Sequence, residues 1–131
     1  MKFLSSIFLL WILSFSAFAT DIPSRIDISY SVTTDIGHGE LNEVVEIKHN
    51  NNSYRYSITS EAQATGIYKL IKPGSIVRHS EGIITKHGLR PSRAFEKRGN
   101  KEPSVADFDW KNHIIKLQHK GKREQEKLPE G

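Results

Sequence analysis

The stretch that decides the fold is RIDISYSVT, which runs from Arg25 to Thr33. Apolar residues alternate strictly with polar ones along this stretch. The apolar positions are Ile26, Ile28, Tyr30 and Val32. A period of two, with β-branched and aromatic residues on one side, is typical of a strand that buries one face. The sequence therefore predicts a β-strand here, within a sheet that has one apolar face.

Further strand-like segments follow, separated by Gly, Asn and Pro residues that favour turns. We predict strands at Leu41–Lys48, Tyr54–Ala62, Ser75–Ser80, Gly82–Lys86, Ser92–Lys97, Ser104–Trp110, His113–His119 and Lys122–Leu128. Glu81-Gly82 is interpreted as a turn between two of them, and Asn50–Ser53 and Lys120-Gly121 as hairpin turns. The segment Ala64–Lys72 has apolar residues at helical spacing and predicts one helical turn or an irregular plug. The predicted fold class is all-β and mainly antiparallel: a curved meander sheet or half-barrel of about eight strands with one short helical turn.

The first 19 residues have the parts of a secretory signal peptide. Lys2 supplies a positive start, Phe3–Phe15 an apolar stretch, and Ala17-Phe18-Ala19 the small residues of an Ala-x-Ala cleavage pattern. The apolar stretch is shorter than the ~20 residues that cross a bilayer, and the chain contains no Cys that could carry a lipid or form a disulfide. We therefore predict cleavage after Ala19, a single β domain over residues 20–131, and a periplasmic location without a transmembrane anchor.

Charge is divided unevenly along the chain. Residues 20–65 contain seven acidic and three basic residues, whereas residues 66–131 contain fifteen basic and eight acidic ones. A basic region can attract phosphate-bearing partners, although two solvated surfaces of opposite sign that attract each other explain the division as well. For an exported protein the available polyanions are lipid head groups and other envelope components. We therefore expect a lipid or envelope component as the partner, and no nucleic acid.

No local pattern indicates catalysis, nucleotide binding or a metal site. The chain has six His residues but no Cys and no HxH or HExxH pattern, so neither a metal nor a cofactor is predicted. Asp107 and Asp109 lie two apart on one strand, with Cα atoms about 6.6 Å apart, a spacing that paired carboxylates could use in hydrolysis. The same spacing follows if Ala106, Phe108 and Trp110 face the core while both Asp residues face water. We therefore expect a protein that is not an enzyme, with a hydrolase as the least favoured alternative.

Aromatic and basic side chains provide two sets of candidate binding residues. A concave apolar surface formed by successive strands would hold a lipophilic molecule, and we predict that it includes Ile28, Tyr30, Tyr54, Tyr56, Phe95, Phe108 and Trp110. A second set would bind an anion such as a lipid head group, and consists of Arg90, Arg93, Lys97 and Arg98.

Four short motifs, in this order, carry a family resemblance. They are SEAQATG at Ser60–Gly66, RHSEG at Arg78–Gly82, GLRP at Gly88–Pro91 and FDW at Phe108–Trp110. With the IDISYSV stretch, they make the chain similar to the exported bacterial proteins of the domain of unknown function 3108 family, from about Ile26 to Gly131. The resemblance implies a curved antiparallel sheet and no particular activity. It also implies that family members continue beyond LPEG, so we expect this chain to be a truncated member that lacks C-terminal strands.

Two functions remain open from the sequence. The leading hypothesis is a periplasmic, non-catalytic module that binds a lipophilic ligand or envelope component on the apolar face of its sheet. The alternative is a structural or assembly partner of envelope proteins, which would pair a strand with an exposed sheet edge, because an unclosed sheet leaves unpaired backbone groups there.

Overall fold

The structure is a computed structural model that describes residues 23–35, 37–71 and 73–128. Its strands are β1 (Arg25–Thr34), β2 (Gly37–Asn50), β3 (Ser53–Ala64), β4 (Ser75–Thr85), β5 (Gly88–Arg98), β6 (Ser104–Asp109), β7 (Ile114–His119) and β8 (Lys122–Lys127). A single helical turn, α1 (Tyr68–Ile71), lies between β3 and β4. The predicted leader and its cleavage site after Ala19 lie outside the described residues.

The eight strands form one antiparallel sheet in chain order. Each strand pairs only with its neighbours in the sequence, so the outer strands β1 and β8 each pair along one side. The predicted all-β antiparallel meander with one short helical turn is confirmed. The sheet is open and uncurled, so the described strands do not form the half-barrel that was one form of the prediction.

Two hairpin turns follow directly from the local sequence. Asn51 and Asn52 connect β2 to β3 with φ angles of 39° and 77°, and Lys120 and Gly121 connect β7 to β8 with φ angles of 49° and 74°. Positive φ at both central residues matches the twist of the flanking strands, and Asn and Gly adopt it at low cost. Both predicted hairpins are therefore confirmed.

The predicted turn at Glu81-Gly82 is wrong, because β4 runs through it without interruption. The sheet absorbs the irregularity as a β-bulge: Glu81 lies opposite Arg93 and Gly82 lies opposite Pro91, so Ser92 is an extra residue on β5. The Ser92 hydroxyl donates a hydrogen bond of 3.1 Å to the Glu81 carbonyl oxygen. A bulge of this kind changes which residues face each side of the bulged strand.

Burial is sparse. Within the described part of the chain, the buried hydrophobic residues are Tyr56, at 5% exposure, and Leu128, at 8%. A sheet normally buries its apolar side against a second layer, and no second sheet packs on this one in the described residues. The apolar side chains of the sheet therefore remain largely open to contact.

Candidate ligand-binding face

One face of the sheet carries most of its apolar side chains. Residues directly opposite one another in an antiparallel pair share a face, and the register therefore assigns each strand residue to one of two sides. The first side is called the apolar face and includes Ile26, Ile28, Tyr30, Val32, Leu41, Val45, Ile47, Tyr54, Tyr56, Ile58, Ile76, Ile84, Leu89, Ala94, Ala106, Phe108, Ile115 and Leu117. The opposite side is called the polar face.

Large side chains on the apolar face are exposed to an unusual degree. Tyr30 is 49% exposed, Val32 46%, Tyr54 44% and Leu89 53%. Tyr30 and Val32 lie near one end of this face. Tyr54 and Leu89 lie near the other end. Exposed apolar surface commonly marks a binding site. The apolar face is therefore the first candidate for a functional surface.

A central groove of about 530 Å³ crosses the apolar face. Small residues from three successive strands, Ser80, Ala94 and Ala106, lie at its centre, and the larger Ile58 and Leu117 flank them. The small side chains create the depression, because their neighbours rise above them from the same face. The volume lies within the range of about 300–1,000 Å³ that is usual for small-molecule sites.

A second depression, the end groove, lies beside α1 and has a volume of about 1020 Å³. Tyr68 of α1 packs on Gly37, where a Cβ atom would stand 2.8 Å from the Tyr68 ring. Ile67, Leu70 and Ile71, in and next to α1, remain 74%, 83% and 66% exposed. The helical turn therefore adds exposed apolar surface to this end of the sheet.

The predicted aromatic residues do not all come together. Tyr30, Tyr54, Tyr56 and Phe108 lie on the apolar face. Tyr30 on β1 and Phe108 on β6 are nonetheless five strands apart, which corresponds to about 24 Å. They belong to one surface, but one small molecule cannot touch all of them.

Phe95 lies on the polar face, so its predicted place among the apolar-face residues is wrong. It lies opposite His79 and Val105, and its ring stacks on His79 with centroids 5.3 Å apart. Leu89 faces the apolar side, and unbroken alternation from it would place Phe95 there too. The extra residue Ser92 reverses the alternation between them.

Trp110 follows β6 and is fixed by three contacts. Its indole N–H donates to the Pro91 carbonyl oxygen, its ring stacks on Phe108 at 6.1 Å, and the Arg90 guanidinium lies 4.7 Å from the ring centroid. A half-buried indole with its donor satisfied and a cation over its face is well ordered. Trp110 therefore serves first as a packing residue that joins β5 to β6.

The four predicted anion-binding residues do not form one cluster. Arg98 lies on the apolar face, opposite Ile76, whereas Lys97 lies on the polar face, opposite Val77. Arg93 is on the polar face beside Asp107, with 3.6 Å between Nε and Oδ1. Arg90 lies against Trp110, as described above. Only Arg98 of this set belongs to the apolar face within the described strands.

Arg98 has a partner that sequence reasoning missed, Arg78 of β4. Both arginines lie on the apolar face, and each donates its Nε–H to a different oxygen of Glu96, at 2.6 Å. Hydrogen bonds from Arg78 and then Arg98 hold the pKa of the Glu96 carboxyl below its ordinary value. The alternation Ile76, Arg78, Ser80 could have revealed Arg78, because it is a charged residue in an otherwise apolar or small series.

The two carboxylates considered for hydrolysis have separate roles on the polar face. Asp107 faces Arg93, whereas Asp109 accepts hydrogen bonds from the side-chain and backbone nitrogens of Asn112, at 2.8 and 3.1 Å. The side-chain bond from Asn112, with the backbone bond second, lowers the pKa of Asp109. Asp109 therefore stabilises the turn that leads from β6 to β7.

Two kinds of feature are absent from the described residues. No group of three or more His, Cys, Asp or Glu residues there is arranged to hold a metal ion. No helix of the described segments is both long and apolar enough to span a bilayer.

A family model described as "Protein of unknown function (DUF3108)" matches residues 25–131. The chain belongs to the DUF3108 family. The match confirms the resemblance inferred from the four motifs, and it covers all eight strands of this DUF3108 member. No curated protein and no solved structure shows significant similarity to it.

Proposed function

We propose that the protein is a periplasmic, non-catalytic module that binds a lipophilic molecule on its apolar face. The observation that carries the proposal is the exposure of that face, where Tyr30, Val32, Tyr54 and Leu89 are between 44% and 53% exposed. An apolar ligand that covers part of this face removes hydrocarbon from water, which is favourable by about 25 cal/mol for each Å². A ligand would thus cover part of a face on which the described residues place no second sheet.

The central groove supports a small molecule as the occupant. Its centre is formed by Ser80, Ala94 and Ala106, and its flanks by Ile58 and Leu117, so the lining offers a narrow apolar strip. Concave and mainly apolar sites are the usual form of small-molecule sites. The predicted export of the chain places lipids among the molecules that it meets.

Native mass spectrometry of protein purified from the periplasm tests the proposal. We expect the wild-type protein to carry a bound lipid. Ala106→Trp, which fills the central groove, should remove the lipid, whereas Ser31→Trp on the polar face of β1 should leave it bound. A clean mass of the unliganded protein, with no lipid-dependent thermal shift, would contradict the proposal.

The edge of β1 supports the second candidate function, strand addition to a partner protein. β1 is ten residues long, pairs only with β2 among the described strands, and contains no Pro or Gly. β8, at the other edge, has the sequence KREQEK, and each of its residues is exposed. Charged edge strands resist pairing with other chains, so β1 is the edge better suited to β-augmentation.

Crosslinking in cells distinguishes the two functions. A photo-crosslinking residue at Ser31 of β1 is compared with one at Gln125 of β8. Strand addition predicts a discrete protein adduct at Ser31 only. Lipid binding predicts few protein adducts at either position, and lipid adducts from a probe at Ala94 in the central groove.

A further inference from the structure

Two arginines and one glutamate interrupt the apolar face where the two grooves meet. Arg78 lines both the central groove and the end groove, Glu96 lines the central groove, and Arg98 lines the end groove. The side chains of Arg78 and Arg98 are 62% and 59% exposed. Charged groups thus stand directly beside apolar surface that is open to a ligand.

The hydrogen bonds within this group leave several N–H donors of both guanidiniums without a partner in the described residues. Each arginine donates only its Nε–H to Glu96, and the terminal amino groups of both make no hydrogen bond within the described residues. One carboxylate therefore orients two cations and neutralises only one of them. The net charge of the three side chains is positive.

Arg25, on the polar face, shows what a purely structural arginine looks like in the same sheet. Its Nε and Nη2 atoms donate to the two oxygens of Asp27, and its Nη1 atom donates to Glu46 at 2.9 Å. All three nitrogens of Arg25 have partners, and two carboxylates balance one cation. Arg78 and Arg98 have the opposite balance, two cations to one carboxylate.

We infer that Arg78 and Arg98 bind the oxyanion head group of an amphiphile whose single apolar chain lies in the central groove. The inference rests on the proposed function and names the class of its ligand. Guanidinium groups bind carboxylates and phosphates through paired N–H donors, and four terminal amino groups are free for this within the described residues. From β4, where Arg78 lies, the groove continues over Ala94 and Ala106 to Leu117, a span of three strands or about 14 Å.

Titration calorimetry with three probes of equal chain length tests this inference on the exported protein. The probes are dodecanoate, dodecyl phosphate and uncharged dodecanol. We expect the two anionic probes to bind the wild-type protein more tightly than dodecanol does. Added salt should weaken the binding of the anionic probes only. The better of the two anionic probes identifies the source of the head group, a fatty acid or a phosphate-bearing lipid.

Variants test whether the preference for anionic probes comes from Arg78 and Arg98. The double variant Arg78→Gln/Arg98→Gln should lower the affinity for the two anionic probes by about tenfold or more. Its affinity for dodecanol should equal that of the wild-type protein. Arg25→Gln removes one ion-paired arginine from the polar face and should leave the affinity for all three probes unchanged. Arg98→Gln alone is the milder second variant, and circular dichroism checks that each variant retains its sheet.

The possible outcomes separate the two proposals. Equal binding of anionic and neutral probes, or arginine variants that bind all probes as wild type does, overturns the inference and leaves lipid binding intact. Failure of all three probes to bind the wild-type protein overturns the proposed function, and the inference with it.

Discussion

Gly82 of β4 lies so close to Arg90 of β5 that a Cβ atom at position 82 would stand 2.1 Å from the Arg90 carbonyl oxygen. The same added atom would be 2.7 Å from the Cα atom of Pro91. Both contacts are with backbone, which cannot move aside as the end of a flexible side chain can. The β-bulge at Ser92 therefore depends on a residue without a side chain on the neighbouring strand.

Replacing Gly82 by Ala should accordingly destabilise the sheet. We expect Gly82→Ala to lower the free energy of unfolding by about 3 kcal/mol, at the upper end of overpacking effects. Gly39→Ala is the graded control, because its Cβ atom would meet the Gln63 carbonyl oxygen at 3.0 Å. Urea denaturation measures the free energy of unfolding of both variants. An equal or larger decrease for Gly39→Ala would contradict the claim that the bulge requires glycine at position 82.

Tyr56 is the most buried aromatic residue of the described strands, and its replacement should lower the free energy of unfolding. It is 5% exposed, and its hydroxyl lies 3.1 Å from the Ser80 hydroxyl. We expect Tyr56→Phe to cost about 1 kcal/mol for the lost hydrogen bond and Tyr56→Ala about 3–5 kcal/mol. Tyr54→Ala, at a position 44% exposed, should cost clearly less, as thermal or urea unfolding would show.

Glu96 should make stability depend on pH in the acid range. Its pKa is lowered in the folded state by Arg78 and then Arg98, so its ionised form stabilises the fold above the ordinary Glu value of about 4.3. This contribution is lost as the pH falls through the lowered folded-state pKa. The stability advantage of wild type over Glu96→Gln should therefore shrink from pH 6 to pH 3. Glu61→Gln, with no ion pair at Glu61 in the described residues, is the control.

The exposed apolar residues beside α1 should matter for binding more than for folding. Ile67 and Leu70 are 74% and 83% exposed, so they bury little hydrocarbon in the unliganded sheet. We expect Ile67→Asn/Leu70→Asn to change the melting temperature by only a few degrees and to reduce the binding of a fluorescent apolar dye. Unchanged dye binding would show that this end of the apolar face takes no part, and Lys69→Gln controls for general changes in the turn.

The sequence predicted the strands well because their determinants are local. Alternation at Ile26–Val32 and turn residues such as Asn51 and Gly121 act over a few positions, and the meander joins neighbours only. The strands are confirmed, but β2 and β5 each begin four residues before the predicted start, and the two strands predicted on either side of Glu81 are the single strand β4. Local signals suffice where each strand pairs with the next one along the chain.

The sequence failed where the outcome depends on pairing between strands. Glu81-Gly82 has the composition of a turn, but Gly82 is required by the close approach of Arg90. The extra residue Ser92 then reverses the side on which Phe95 lies. The pairing of Arg78 with Arg98 through Glu96 likewise depends on the register of β4 with β5, which alternation within either strand does not reveal.

The strictly sequential order of the sheet also bears on how the chain acquires its structure. Each described strand pairs with its neighbours in the sequence, and no pairing among the described strands joins distant parts of the chain. Short sequence separations lower the entropic cost of each contact and favour fast folding for a β protein. A chain whose N-terminal part is available first, as it is during synthesis, can therefore add hairpins one after another, β1 with β2 and onward to β8.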